Sequence, residues 1–333
     1  MKSMLTFEDF VLDREKKSEL GTPEETRLLL DIASCCKQIS GLVQDATLDA
    51  MEGATKSQNI HGDFQIPLDL AADGLLVNRL QSTEHLALVL SEEREEVCQT
   101  DNWSPRSKFV VAFDPVDGSK ELEHGGQVGT IFSILRVREE GAPPSHLDFL
   151  QPGRAIVAAG MAVYGSQTML LFTTGQGLHQ FALSRKLHEW MLVNDDLKMK
   201  QGGLKATYSI NEGNEVRWKD SVRRFIKDVK RSVQPVYTHR YAGSLVADAF
   251  RVMLGGGVFL YPEDSSNPQG KLRYLYEAAP IAMMVEQAGG LAVTSTGKRI
   301  LDVCPADVHE RSSLIIGEPR DIGRYSRFLG WDS

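Results

Sequence analysis

Glu92 and Glu93 follow an apolar run that ends at Ser91, and a second run ends in Asp114-Pro115-Val116-Asp117-Gly118-Ser119. Carboxylates at the ends of adjacent strands converge on one point, where their mutual repulsion is tolerable only if a cation or protons neutralise it. Oxygen donors select a hard ion, Mg²⁺ with Mn²⁺ as a substitute, over zinc, for which the sequence has no His/Cys cluster. Pro115 and Gly118 make a tight turn that aims both aspartates and the Val116 carbonyl inward. The backbone N–H groups of Gly118, Ser119 and Lys120 then remain free to hold a phosphate. A cation facing a phosphate suggests phosphoester hydrolysis by metal-activated water. A cationic group follows: Arg240-Tyr241, Tyr261-Pro262, and Gly270-Lys271-Leu272-Arg273 leading to Glu277. Lys271 and Arg273 lie two apart in an extended segment, hence on one side, a geometry suited to a phosphate or sugar hydroxyls. Taken singly, each feature has an ordinary explanation. Paired glutamates start solvated helices, Asp-Pro-x-Asp-Gly is a turn signal, Asp63 and Asp69 read as loop and N-cap residues, and Lys271 with Arg273 as a surface pair.

These groups need elements to position them. Thr22, Pro23 and Glu25 spell a capping box for a long helix whose apolar face carries Leu28, Ile32, Cys36, Ile39 and Val43. A helix is expected over about Leu70 to Leu80, with buried strands at His85 to Leu90, Phe109 to Phe113 and Val128 to Val137. Glu139 to Arg154, containing Pro143-Pro144 and Pro152, reads as an interlobe connection, so the lobes are expected at 1–150 and 151–333. Further strands are expected up to Val193, at Ala206 to Ile210 and at Gly257 to Tyr261. An amphipathic helix is expected over Arg217 to Arg231, another over Leu245 to Leu254, and a third over Leu275 to Ala288, bent at Pro280. This order indicates a layered α/β protein.

The chain has 333 residues, 42% hydrophobic and 25% charged, the balance of a globular protein with roughly two domains. Thirty-seven basic against 45 acidic side chains give a net charge of −8, which argues against nucleic acid or an anionic membrane as partner. Cys35, Cys36, Cys98 and Cys304 form no C-x-x-C pair, consistent with a reducing compartment. The first residues turn acidic before any apolar run of signal-peptide length, and no Ser-Lys-Leu ending is present, so a cytoplasmic protein is expected. Ala155 to Ser184 contains no Asp, Glu, Lys or Arg, yet Gly160, Gly165 and Gly175-Gln176-Gly177 divide it into short strands rather than a membrane span.

In combination the segments Phe113 to Ser119, Gly129-Thr130-Ile131-Phe132, Arg240 to Asp248, Phe259-Leu260-Tyr261-Pro262 and Gly270 to Glu277 resemble class I fructose-1,6-bisphosphatases, a family that also contains sedoheptulose-1,7-bisphosphatases. The resemblance runs in order from about Thr22 to Gly317. It implies a layered α/β/α/β/α sugar-phosphatase fold, Mg²⁺ dependence and a homotetramer or homodimer. It further implies metal positions at Asp63, Glu92, Asp114, the Val116 carbonyl, Asp117 and Glu277, with Asp69 and Glu93 handling the attacking water. Gly118, Ser119 and Lys120 would hold the 1-phosphate. Asn211, Tyr241, Tyr261 and Lys271 would hold the distal phosphate and sugar, with Arg273 near the reacting end. Arg240 matches an arginine that reaches across a subunit interface. The inositol monophosphatases are disfavoured, because their late carboxylate sits in a Trp-Asp motif and here it is Glu277.

Departures from the pattern bear on substrate. Ser119-Lys120-Glu121 stands where Ser-Ser-Asn is common, and Asn211-Glu212-Gly213-Asn214 lacks a tyrosine expected at the distal phosphate. Fructose 1,6-bisphosphate is therefore the first expected substrate and sedoheptulose 1,7-bisphosphate a close second, with dual specificity a third reading. A catalytically silent sugar-phosphate sensor is a distant alternative that an Asp117→Ala variant separates from the enzyme. Gly21 to Thr26, with Thr22, Glu24, Glu25 and Thr26, resembles the AMP loop of the animal enzymes, and Lys108 and Arg136 also match. Phe109 replaces a nucleotide-binding tyrosine, so weakened or absent AMP inhibition is expected.

Overall fold

The computed structural model describes residues 5–17, 21–51, 57–58, 64–65 and 67–330, and Asp63 lies outside them. Helices α1 (Phe7–Lys16), α2 (Pro23–Met51) and α3 (Pro67–Gln81) come first. The capping box at the head of α2 is formed: the Thr22 N–H donates to a Glu25 carboxylate oxygen at 2.7 Å, and the Glu25 N–H to Thr22 Oγ1 at 3.4 Å. Two of the helix's otherwise orphaned N–H groups are thereby paired at the point where the chain enters its longest helix.

The first sheet contains β1 (Leu86–Ser91), β2 (Cys98–Gln99), β3 (Phe109–Asp117), β4 (Val128–Arg136), β5 (Ile156–Tyr164), β6 (Met169–Thr173), β7 (His179–Ser184) and β8 (Glu189–Asp195). Their order is β8-β7-β6-β5-β4-β3-β1-β2. β1 and β3 are parallel neighbours, so Glu92 after β1 and the acidic end of β3 lie at the same end of the sheet. The uncharged stretch through Ser184 is the three strands β5 to β7, as expected, and none of the described helices is long and apolar enough to cross a membrane. The segment 139–154 joins β4 to β5, antiparallel neighbours in one sheet.

A second sheet contains β9 (Lys205–Ser209), β10 (Val236–His239), β11 (Val258–Tyr261), β12 (Leu291–Val293) and β13 (Leu314–Gly317), in the order β10-β9-β11-β13-β12. Helices α4 (Asp220–Lys230), α5 (Leu245–Gly255), α6 (Ala279–Gln287) and α7 (Pro319–Tyr325) pack on it. Three apolar clusters define the layers. Phe10, Leu28, Leu76, Phe113 and Trp190 join α1, α2 and α3 to one face of the first sheet. Val246 and Met284 lie between Ala112 of the first sheet and Ile316 of the second. Phe225 of α4 and Ile322 of α7 cover the far face of the second sheet at Leu260. The result is the α/β/α/β/α layering the resemblance implies. The helix expected over Leu275 to Ala288 opens with a π-helical turn at Tyr274–Ala278 that runs directly into α6, with Pro280 two residues after the π turn.

Candidate active site

The acidic turn is a bulge. Asp114 pairs with Ile131 and Asp117 with Gly129, so Pro115 and Val116 together oppose Thr130 alone. Residues three apart in a regular strand face opposite sides of the sheet, and the extra residue returns Asp117 to the side of Asp114. Gly118 then takes φ 78°, a conformation that favours glycine, and a Cβ there would also meet the Ser244 side chain at 3.0 Å. One Asp114 oxygen accepts the Val116 N–H at 2.9 Å. Asp117 accepts the Val246 N–H at 2.9 Å, which places its charge at the positive end of α5. The π-helical turn brings Glu277 to the same point, with its carboxylate accepting the Arg273 N–H. One carboxylate oxygen each from Asp114, Asp117 and Glu277 lie within 4.8 Å of one another.

Four acids crowded this way resist ionising together. Burial pushes Glu92 up to about 7 and Asp117 up to about 6. It also raises Asp114 and Glu277 well above the usual carboxylate range, with the neighbouring carboxylates adding to the effect. A carboxylate whose folded pKa is raised contributes stability at low pH that is lost as pH rises through the folded value. Without a cation, the protein is therefore expected to lose stability as pH rises from about 4 to about 7, and Mg²⁺ to restore it. Thermal melts should show a Mg²⁺-induced rise in Tm that is larger at pH 8 than at pH 5.5. At a hundredfold excess over Kd the linkage amounts to about 2.7 kcal/mol. An equal rise at both pH values would contradict the assignment of these acids to a cation site.

A cavity of about 210 Å³ opens over the cluster, lined by Asp69, Glu92, Glu93, Val116, Gly118, Ser119, Lys120, Lys271 and Arg273 among others. Asp69 is buried in the first turn of α3. The loop carrying Glu92 and Glu93 is tied to that helix by Arg94, 2.8 Å from Asp73. Arg273 is also buried, its guanidinium donating to the His309 carbonyl at 2.9 Å. A second cavity of about 370 Å³ adjoins the first through Gly243, Tyr261 and Lys271 and adds Asn211 and Tyr241. Burial raises the Tyr241 phenol to about 12, so it remains a hydrogen-bond donor at neutral pH. Arg240 lines neither cavity; it is exposed, with its guanidinium donating to the His239 carbonyl at 3.0 Å.

Three contributors have no role in the sequence reading. Fully buried Asp248 accepts the Ala242 N–H at 3.0 Å and the Ser209 hydroxyl at 2.8 Å, fixing the loop that presents Tyr241. Its place in the Arg240 to Asp248 segment was a signal available in the sequence. Glu121 and Arg311 line the first cavity; Arg311 gets there by strand pairing with Arg273, a contact between distant segments.

The candidate effector residues also come together, at the end of β3 opposite the acidic turn. Arg136 pairs with Glu25 at 2.7 Å and Lys108 with Glu24 at 3.3 Å, Thr26 is buried, and the Arg136 guanidinium lies 5.1 Å from the Phe109 ring centre. Both cations that would meet an effector phosphate thus already have glutamate partners.

Two helix-flanked sheets that bring carboxylates, a glycine turn, a lysine and an arginine into the lining of one cleft define a layered α/β architecture suited to a phosphate ester. Residues 5–195 match the family model "Fructose-1-6-bisphosphatase, N-terminal domain" and residues 202–330 its C-terminal counterpart. The chain is 41% identical to fructose-1,6-bisphosphatase isozyme 2 of Bos taurus and to that of Oryctolagus cuniculus, over 97% of this chain and 94% of each relative. A crystal structure of Leishmania major fructose-1,6-bisphosphatase in holo form superposes with a TM-score of 0.89 at 32% identity, covering 98% of this chain and 99% of that one. The chain belongs to the fructose-1,6-bisphosphatase family.

Proposed function

We propose that the chain hydrolyses fructose 1,6-bisphosphate at carbon 1, releasing fructose 6-phosphate and inorganic phosphate, with Mg²⁺ as cofactor and Mn²⁺ as a substitute. The observation that carries this reading is one cleft with two anion-holding ends. The acidic cluster and the Gly118 turn form one end, and Lys271 and Tyr261 link it to a second cavity. The sedoheptulose alternative is not favoured, since the family model and the relatives above are named for fructose 1,6-bisphosphate.

Glu92, Asp114, the Val116 carbonyl, Asp117 and Glu277 would hold the cation, with Asp63 contributing from outside the described residues. The donor set fits: it is all oxygen, and burial together with the neighbouring carboxylates holds its acids above the usual carboxylate range, a penalty that a divalent cation would relieve. A bound divalent cation neutralises phosphoryl charge and makes water more acidic. The N–H groups of Gly118, Ser119 and Lys120 bind the 1-phosphate, and Arg273 lies beside its reacting end. Asp69 and Glu93 orient the attacking water and take its proton. Asn211, Tyr241, Tyr261 and Lys271 anchor the 6-phosphate and sugar, and so set the distance between the held end and the reacting end.

Arg240, exposed on one protomer, fits a role across a subunit boundary in a homotetramer or homodimer. A cytoplasmic location accords with the reduced cysteines. AMP is expected to act weakly at best, because the Arg136 to Glu25 and Lys108 to Glu24 pairs must open first.

Lys271→Ala tests the two-ended reading. Loss of one charge-assisted bond, roughly 1.5–3 kcal/mol, predicts about a 10- to 100-fold fall in kcat/KM for fructose 1,6-bisphosphate, mostly in KM. Activity on fructose 1-phosphate, which lacks the distal group, should change little. Equal losses on both substrates would contradict the proposed role.

A further inference from the structure

The bulge in β3 removes a rung of the ladder just where the cation-site residues sit, and a buried backbone carbonyl left without a partner is costly. Thr130, opposite the bulge, supplies the replacement: its Oγ1 lies 2.8 Å from the Pro115 carbonyl and 2.7 Å from the Tyr164 hydroxyl on β5. The carbonyl only accepts, so Thr130 donates its one proton there, and the Tyr164 O–H donates to Thr130. The Cys36 thiol of α2 reaches the same pair. Thr130 and Cys36 are fully buried and Tyr164 is 1% exposed, so no water competes. Valine would fill the position of Thr130 on a strand equally well, which leaves the hydroxyl bond as the chemical content of this residue.

We propose that Thr130 is a positioning residue for the cation site, holding the Pro115 carbonyl and with it the orientation of Asp114, the Val116 carbonyl and Asp117, and that Tyr164 orients Thr130. The inference rests on the reading of that cluster as a cation site. Neither residue touches substrate or cation; both act through the turn. Burial pushes the Tyr164 phenol well above its usual range and Cys36 up to about 12, so both keep their protons at neutral pH.

The test uses the full chain and Mn²⁺ alone as probe, by calorimetric titration, with circular dichroism melts and steady-state kinetics on the same preparations. Leaving the buried Pro115 carbonyl without a donor is costly, so T130V is expected to raise the Mn²⁺ Kd and lower kcat about tenfold, with KM within about twofold. T130S, which keeps the hydroxyl, should bind Mn²⁺ as the wild type does, and Y164F should weaken it about threefold. A T130V variant with wild-type Mn²⁺ affinity overturns the proposal, as does T130S weakened as much as T130V, which would assign the role to the methyl group. If T130V does not fold, Y164F decides, and an unchanged Kd there overturns the proposal. A wild-type protein that binds no Mn²⁺ would overturn the cation site as well, whereas wild-type binding with an indifferent T130V overturns this inference alone.

Discussion

Asp117→Asn is expected to cut phosphate release from fructose 1,6-bisphosphate by roughly 10³-fold while leaving the protein folded, since removing one group that stabilises developing charge typically costs 10²–10³. The asparagine carbonyl can still accept the Val246 N–H that Asp117 accepts at 2.9 Å, so the junction of the acidic turn with α5 keeps its hydrogen bond. What disappears is one of the three charges whose oxygens lie within 4.8 Å of one another. That charge is unfavourable without a cation, because burial raises its pKa to about 6. The metal-free variant should therefore melt at or above the wild-type temperature at pH 8 and show little of the Mg²⁺-induced rise. Full activity in this variant would dismantle the site as described. A collapse of both activity and fold would give Asp117 a structural role instead. The silent-sensor alternative is answered by the same preparation, because a sensor has no phosphate release to lose.

Asp69→Asn should lower kcat by about 10²–10⁴, the usual contribution of a positioned acid or base, with substrate KM and Mn²⁺ affinity nearly unchanged. Asp69 stands on a different element from the cluster, in the first turn of α3, and reaches the cavity from the side where Arg94 braces the Glu92-Glu93 loop against Asp73. A group that handles water alone has no part in holding the sugar. The outcome is therefore a split between kcat and KM, and a rise in KM with unchanged kcat would move Asp69 from the chemistry to binding.

Both predictions depend on features that differed in how plainly the sequence displayed them. Apolar runs ending in acids pointed to strands with chemistry at their ends, and β1 and β3 are parallel neighbours that deliver Glu92, Asp114 and Asp117 to one cleft. The capping box at Thr22 was legible because its signal spans only four residues. The bulge was not, since strand periodicity does not reveal that Pro115 and Val116 share one partner, and without the bulge Asp114 and Asp117 would face opposite sides. The π-helical turn that carries Glu277 has no strong residue preference to mark it, so the sequence displays only helix there. Arg311 depends on strand pairing with Arg273 between separate segments, which local patterns do not encode. The pairing of Glu25 with Arg136 is of the same kind, and it turns a match in residue types into a site whose cations are already engaged.

The most direct test of the account is ³¹P NMR of the purified chain with fructose 1,6-bisphosphate, before and after chelation and on return of Mg²⁺. The predicted result is loss of the carbon-1 phosphate signal, with matching growth of inorganic phosphate and fructose 6-phosphate, stopped by chelator and restored by Mg²⁺. Turnover that persists in chelator, or release of the carbon-6 phosphate instead, would contradict it.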